Sequence, residues 1–444
     1  MDLVATSDTS LAPLDTRAST GWIPLVRAAS SALVAGVAPA RWLRSTAAPC
    51  RACSLGSDGR SDPVVRGLHH CSRRTAELLV GQRPRIETYG GAGWIPTPFA
   101  TALDRVRQTS ADRVGLIVDG ATSDESLRVA RLAADAGARV AVEHLHRDRA
   151  SLRTLERITG VGAGTVGYDA LAAAELVLVW GEVTATPMIG RWLASAARRG
   201  VTVVAVVDGQ RPWWAQHVVP TAHPLAVARG TLAGLRGRDA VDQGFLAAHT
   251  TGAPAWDAPP EPPPDLHAGV VGWLVGLVAG TRAIVSVGSG WSEELTRALL
   301  SLHLSRGAIG RRDAGLLPLP RTPNALGAAA AGLLALDPPS PGDVELLLRV
   351  PAGPVTHPDG HTVTAADRRV RLVPPDPDGA HDGFVDWVAL ARALGAEIPW
   401  SRPAEARSAP SLRRPGDQVQ VGGPWLHDGG RFATPDGRAA LADA

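Results

Sequence analysis

The chain contains no lysine: every one of its 45 basic residues is arginine. Together with 48 glycines, 36 prolines and abundant alanine, this reads as coding-composition pressure, so the missing lysine says little about function. Charge of either sign is nearly cancelled, with 45 basic against 43 acidic residues and a formal net charge of +2. No basic excess remains to neutralise a phosphate backbone, which argues against a nucleic-acid binder. Long apolar runs are also missing. The stretch 22–38 is broken by Pro24 and Arg27, and 270–279 is too short to span a bilayer. The beginning carries Asp2 and Asp8 and no basic segment, so no signal peptide is expected and the expected compartment is the cytoplasm. Asparagine occurs once, at Asn324. Cysteine occurs three times, all between Cys50 and Cys71. That is too few for a disulfide framework and suits a metal or redox site in a reducing compartment.

What is present describes an ordinary globular chain. Its 444 residues exceed one core, so two or three domains are expected, and 45% hydrophobic with 20% charged residues is unexceptional. Residues 1–49 have turn-like Ser/Thr/Pro/Ala composition and read as a mobile extension. From Arg113 onward the pattern sharpens. Val114-Gly-Leu-Ile-Val118 is a short apolar run suited to a strand buried on both faces. A helix over 124–136 follows, with Ser123 as N-cap and Gly137 as stop, then a strand Arg139-Val-Ala-Val142. The alternation returns with Leu176–Trp180, a helix from Pro187 to Arg199, Val201–Val207, Ala283–Val287, a helix from Ser292 to Leu304, and Val344–Leu348. Strand–helix alternation of this kind predicts doubly wound, Rossmann-like α/β domains with parallel sheets. Pro-rich breaks at 253–264, 337–341 and 374–378 read as linkers or surface loops. The expected units are a cysteine-containing segment at 50–83, an α/β domain from 84–155 with 283–400, an inserted α/β domain at 156–265, and a polar, loop-like tail at 401–444.

Chemistry can sit first at Cys50-x-x-Cys53-x-x-x-Ser57, followed by Cys71. Two thiolates three residues apart on a turn can face one metal, and a residue four further on can complete a face of a cubane. His69 and His70 offer another solution, zinc held by three Cys and one His. Three free thiols are the remaining reading.

The flanks of this group carry a resemblance. Gly67-Leu-His-His-Cys71-Ser-Arg73 and Trp94-Ile-Pro-Thr-Pro-Phe-Ala-Thr-Ala-Leu-Asp-Arg-Val106 are similar to segments that follow the N-terminal cluster in the molybdopterin oxidoreductase superfamily. The resemblance implies a [4Fe–4S] cluster, intact or degraded, on Cys50, Cys53, Ser57 and Cys71, with Ser57 where the third Cys would stand. It also places Arg73 at the position of a lysine that relays electrons between cluster and pterin. Further on, Ala174-Glu-Leu-Val-Leu-Val-Trp180-Gly181, continuing to Pro187, resembles the turn that embraces a guanine dinucleotide. A strand end followed by glycine and a helix N-terminus is a general solution for dinucleotides. Val207-Asp208-Gly-Gln-Arg211 resembles the family's guanosine-contacting strand end. Gly288-Ser-Gly290 and the block from Gly307 through Gly310 to Arg321-Thr-Pro-Asn324-Ala-Leu-Gly327 resemble its pterin-binding loops. The segments Asp359–Val370 and Asp386–Gly395 also match, so the resemblance runs patchily from Cys50 to Gly395. It implies molybdopterin guanine dinucleotide with molybdenum as cofactor. Beside it stands the reading of Rossmann-like loops that bind nothing.

Two expected parts are missing. Active members of the family place a Cys, selenocysteine, Ser or Asp on molybdenum near the segment His144–Ser151, read as a loop here. It holds no Cys, and only Asp148 or Ser151 could coordinate. The second is the C-terminal β-barrel: Gly430–Arg438 resembles the strand leading into it, and the chain stops six residues later. The expected function is thus a divergent electron-transfer protein with degenerate pterin chemistry, partnered by another redox or assembly subunit. The formate dehydrogenase or nitrate reductase type, the large iron–sulfur subunit of NADH-quinone oxidoreductase, and a non-catalytic scaffold are the three branches.

Overall fold

The computed structural model of the chain describes residues 86–441, apart from 182, 184–186, 210, 253–267, 323, 353–356, 376–381, 408 and 415, and three two-residue strands upstream. Cys50, Cys53, Cys71, Arg73 and the Pro-rich break at 253–264 lie outside the described residues. Of Ser57 only its place in the strand Gly56–Ser57 is described, and of Pro187 only its place at a helix start.

Two five-stranded sheets carry the structure. In the first, the order is Trp94–Pro96, Glu87–Tyr89, Leu346–Val350, Val114–Val118, Arg139–Val142. The last three strands are parallel and the first two join antiparallel. Val114–Val118 has a strand on either side and is almost wholly buried, as a continuous apolar run requires. The helix Asp124–Asp135 follows it, and the Ser123 hydroxyl accepts a hydrogen bond from the Ser126 amide at 3.2 Å. That helix packs against Gly383–Ala393, whose Phe384, Trp387 and Leu390 enter the same core.

The second sheet is entirely parallel, in the order His217–Pro220, Thr202–Val207, Leu176–Trp180, Ile284–Gly288, Gly315–Pro318. Numbered along the chain this is 3-2-1-4-5, the order of a dinucleotide-binding sheet. One face packs on Pro224–Gly237, Ala268–Gly280 and Glu293–Ser305, the other on Ile189, Leu193 and Ala196 of the helix Pro187–Arg198. The expected doubly wound α/β class with parallel sheets is what the chain adopts, and no closed barrel occurs among the described residues. Among the same residues no helix is long and apolar enough to cross a membrane.

Three local differences have physical causes. Ile284–Gly288 and Gly315–Pro318, which alternation along the chain places with the first α/β domain, hydrogen-bond into the second sheet. A buried parallel strand has the same apolar signature in either sheet, so periodicity alone leaves its neighbour open. The segment read as a loop at His144–Ser151 is the start of a helix, His146–Thr159, with Leu152, Leu155 and Ile158 buried. The tail at 401–444 is anchored despite its polar composition. Ala439–Ala440 pairs in parallel with Thr250–Thr251, Trp425 bridges Val166, and Phe432 and Leu441 are buried.

The chain passes between the two sheets at their C-terminal edges, with residues 319–322 on one side and Asn324 on the other. It leaves the second sheet at Pro318, where the Leu319 amide donates to the Gly288 carbonyl at 2.7 Å. It reaches the first sheet at Asn324, whose amide donates to the Gly120 carbonyl at 2.7 Å. The Asn324 side chain is wholly buried. Its Nδ2 donates to the Thr122 carbonyl and to Asp124 Oδ1, both at 2.8 Å, and its Oδ1 accepts from the Thr364 amide at 3.1 Å. No Cβ fits on Gly327, since it would collide with Asp124 and Asn324. Removing the amide strands a carbonyl, a carboxylate and an N–H without water, each costing roughly 1–3 kcal/mol. The substitution Asn324→Ala is therefore expected to lower the unfolding free energy by about 3 kcal/mol, read as a reduced urea midpoint at constant m-value.

Candidate cofactor crevice

The strand order of the second sheet reverses between Leu176–Trp180 and Ile284–Gly288, opening a crevice at their C-terminal ends. Gly181 follows the first strand directly with φ +76°, a left-handed conformation natural to glycine, and its amide donates to the Val206 carbonyl at 3.0 Å. Gly288 ends the neighbouring strand; a side chain there would collide with the Trp180 carbonyl. Two residues on, Gly290 has φ +67°, and the guanidinium of Arg321 lies 2.9 Å from where its Cβ would be. Backbone alone thus forms this edge, while the N-termini of Pro187–Arg198 and Glu293–Ser305 begin at the same end of the sheet. The first of these can favour an anion, whereas the second is capped by the Ser292 hydroxyl, which accepts from the Leu295 amide, and carries Glu293 and Glu294 in its first turn.

Asp208, one strand over, sits at the end of Thr202–Val207, exposed and without hydrogen bond or ion pair among the described residues. Arg211, expected beside it, is tied instead to its own turn, donating to the Ala215 and Gln216 carbonyls at 2.8–3.1 Å. A helix start after glycine on one strand and an acidic residue ending the next is the arrangement that recognises phosphate and hydroxyl or amino groups together.

Beneath the crevice lies a buried brace that the sequence reading missed. Ser286, in the middle of Ile284–Gly288, accepts from Trp180 Nε1 at 3.1 Å and is 2.8 Å from His303 Nε2. Trp291 Nε1 donates to the Trp180 carbonyl at 3.1 Å. Burial pushes the His303 imidazole down to about 4, so it stays neutral near pH 7. A serine inside Ile284-Val-Ser-Val287 and a histidine inside an apolar helix were the available signals.

Other expected residues lie elsewhere. Gly310 is at the opposite, N-terminal edge of the sheet. Its φ of +81° lets the chain pass close to the His427 carbonyl, beside an open cavity of about 510 Å3 lined by Arg311, Arg312, Asp313 and Trp425. Asn324 and Gly327 belong to the edge of the first sheet described above. Asp148 stands in the first turn of His146–Thr159, buried, and its two carboxylate oxygens accept from the amides of Arg321 and Thr322, both at 2.8 Å. The carboxylate is thus engaged in holding the backbone of Arg321 and Thr322. Ser151 is likewise occupied, donating to the Asp148 carbonyl at 3.0 Å. Among the described residues no group of three or more His, Cys, Asp or Glu could hold a metal ion.

At the edge of the first sheet, Glu125 accepts from the Thr362 amide and hydroxyl at 2.9 Å, with Arg407 Nε at 3.4 Å. Arg407 is held by the carbonyls of Leu412, Asp359 and Gly360. Complete burial, and secondarily the neighbouring Asp124, raise the Glu125 carboxyl to about 7 against the opposing pull of the Thr362 hydrogen bonds.

No family model matches the chain, and no curated protein matches it in sequence. Among solved structures, acetylene hydratase from Pelobacter acetylenicus superposes with a TM-score of 0.60 at 12% identity, covering 90% of this chain and 77% of that one. A chain of the formyltransferase/hydrolase complex (FhcABCD) from Methylorubrum extorquens, solved in complex with methylofuran, aligns at TM-score 0.41 and 14% identity, over 70% of this chain and 98% of that one. At such identities the likeness to acetylene hydratase shows the fold alone.

A carboxyl raised from 4.5 to about 7 holds its proton more tightly folded than unfolded. Its stabilisation is complete below pH 4.5 and is lost as pH rises through 7. Replacing Glu125→Gln removes this dependence. Relative to the parent, the variant should gain on the order of 3 kcal/mol between pH 4.5 and 7.5, measured as the difference in urea unfolding free energies at the two pH values. The buried His303 acts with the opposite sign in both proteins and cancels from that difference.

Proposed function

We propose that the chain is an electron-transfer subunit with a molybdopterin-oxidoreductase-like fold that holds the guanine-nucleotide end of a pterin cofactor in the crevice of its second sheet. The observation that carries this reading is Gly181 in the left-handed conformation beside Asp208, on adjacent strand ends, where the strand order reverses. Asp208 would accept hydrogen bonds from guanine or ribose, and the start of Pro187–Arg198 would face the phosphates. The bound cofactor would supply the redox chemistry; this chain's own residues would bind and orient it. In this reading Cys50, Cys53, Ser57 and Cys71 hold an iron–sulfur cluster, Arg73 lies between cluster and pterin, and electrons pass to a partner redox subunit.

Asp148 favours the degenerate form of this function, because its carboxylate is buried and already engaged by two backbone amides. The same observation favours a second reading, in which the chain keeps the fold as a scaffold or assembly subunit. Metal analysis separates the readings. Iron with molybdenum supports cofactor-dependent catalysis, iron alone supports an electron relay as in the large iron–sulfur subunit of NADH-quinone oxidoreductase, and neither supports the scaffold.

Calorimetric titration with GDP tests the crevice directly. Binding is expected, and Asp208→Ala should weaken it about tenfold, or ~1.4 kcal/mol. Loss of GDP binding should also follow Gly181→Val, which the backbone conformation opposes. If GDP does not bind, or if Asp208→Ala leaves its affinity unchanged, the nucleotide reading fails.

A further inference from the structure

We propose that Trp213 is the platform on which the planar base of the nucleotide stacks. This role rests on the nucleotide reading given above, and adds to it a contact made by neither a helix start nor a charged group. Trp213 is 69% exposed, the most exposed large apolar side chain among the described residues. Its surroundings are nonetheless fixed. Arg211 ties the turn by donating to the carbonyls of Ala215 and Gln216, and the Ala215 amide donates to the Pro212 carbonyl at 3.0 Å. Trp214 and Ala215 are buried in the core on that face of the second sheet. Two successive tryptophans thus have opposite fates. One fills the core, and the other is held in water, where most of its apolar surface contributes nothing to folding.

The place of the indole indicates what it meets. Trp213 stands five residues after Asp208, in the connection that leaves the strand Thr202–Val207. Its Cζ2 lies 3.2 Å from where a Cβ on Gly190 would stand, and Trp214 Cδ1 lies 2.8 Å from the same point. Gly190 is the fourth residue of Pro187–Arg198, the helix that begins beyond Gly181. A side chain there would displace Trp214 and press on Trp213, so the glycine seats the rim of the exposed indole on the first helical turn. A flat apolar face and the exposed carboxylate of Asp208 therefore share one short connection. An aromatic face stacks on any base, whereas a carboxylate accepts from N–H groups along an edge. Guanine supplies both contacts, offering a broad ring face and a ring N–H beside an NH2 on one edge.

The experiment joins GDP calorimetry to a GDP titration followed by tryptophan emission, on the parent, Trp213→Ala and Trp213→Phe. Trp213→Ala should weaken GDP binding about tenfold, while Trp213→Phe, which keeps an aromatic face, should stay within about threefold of the parent. In the parent, GDP should quench the emission of the exposed indole. Trp213→Phe should lose that quench although it still binds, a signal that a merely structural tryptophan would not move. Unchanged GDP affinity in Trp213→Ala would overturn the platform and leave the nucleotide reading in place. An undiminished quench in Trp213→Phe would do the same. Should Trp213→Ala not fold, the emission of Trp213→Phe still decides the question. If the parent binds no GDP, the nucleotide reading fails and the platform fails with it.

Discussion

Residues 319–322 and Asn324 are held by buried groups that water cannot replace, and the relation of the two sheets depends on them. At one end the carboxylate of Asp148 takes the amides of Arg321 and Thr322; at the other, the amide of Asn324 connects Thr122, Asp124 and Thr364. Hydrogen bonds contribute little when exchanged for bonds to water, yet cost several times more when one partner is left buried and unmatched. These contacts therefore specify one arrangement more strongly than they add stability. A small displacement between the sheets would break several at once.

The same logic shapes the crevice. Its walls are backbone because Gly181, Gly288 and Gly290 stand where a Cβ would meet a carbonyl, an unfavourable φ or a guanidinium. Its base is rigid because Trp180, Ser286, His303 and Trp291 form a polar brace across the two strands that bound it. In the proposed function this edge takes a ligand that carries phosphate and a polar ring. Asp148, buried and engaged by two backbone amides, serves the fold at this place.

Much of the architecture was legible locally. Val114–Val118, Arg139–Val142 and Leu176–Trp180 form over the residues that their apolar runs mark, and Ser123 caps the helix it was expected to cap. Leu346–Val350 begins two residues later than the pattern 344–348 suggests, since β-branched and leucine-rich runs do not mark their own ends sharply. The helix His146–Thr159 escaped notice because its exposed face is crowded with arginine and its apolar residues are few. Asn324 stood out by being the chain's single asparagine, but its rarity could not reveal whether it faces a ligand or the interior. It faces the interior. The polar tail hid its anchoring for a similar reason: Phe432, Ala439 and Leu441 are isolated apolar residues whose partners lie far away in the sequence.

By itself, then, the sequence determined the alternating elements, the α/β class and the glycines that end the strands, because helical and strand periods and left-handed turns are properties of neighbouring residues. Only the tertiary structure decided which sheet received Ile284–Gly288 and Gly315–Pro318, and which polar residues face inward. Sheet membership depends on hydrogen bonds between strands more than a hundred residues apart, such as Leu176–Trp180 and Ile284–Gly288. The role of Asp148 was open for the same reason. A carboxylate is a potential metal ligand until its partners are known, and here those partners are two amides brought to it from 173 and 174 residues away.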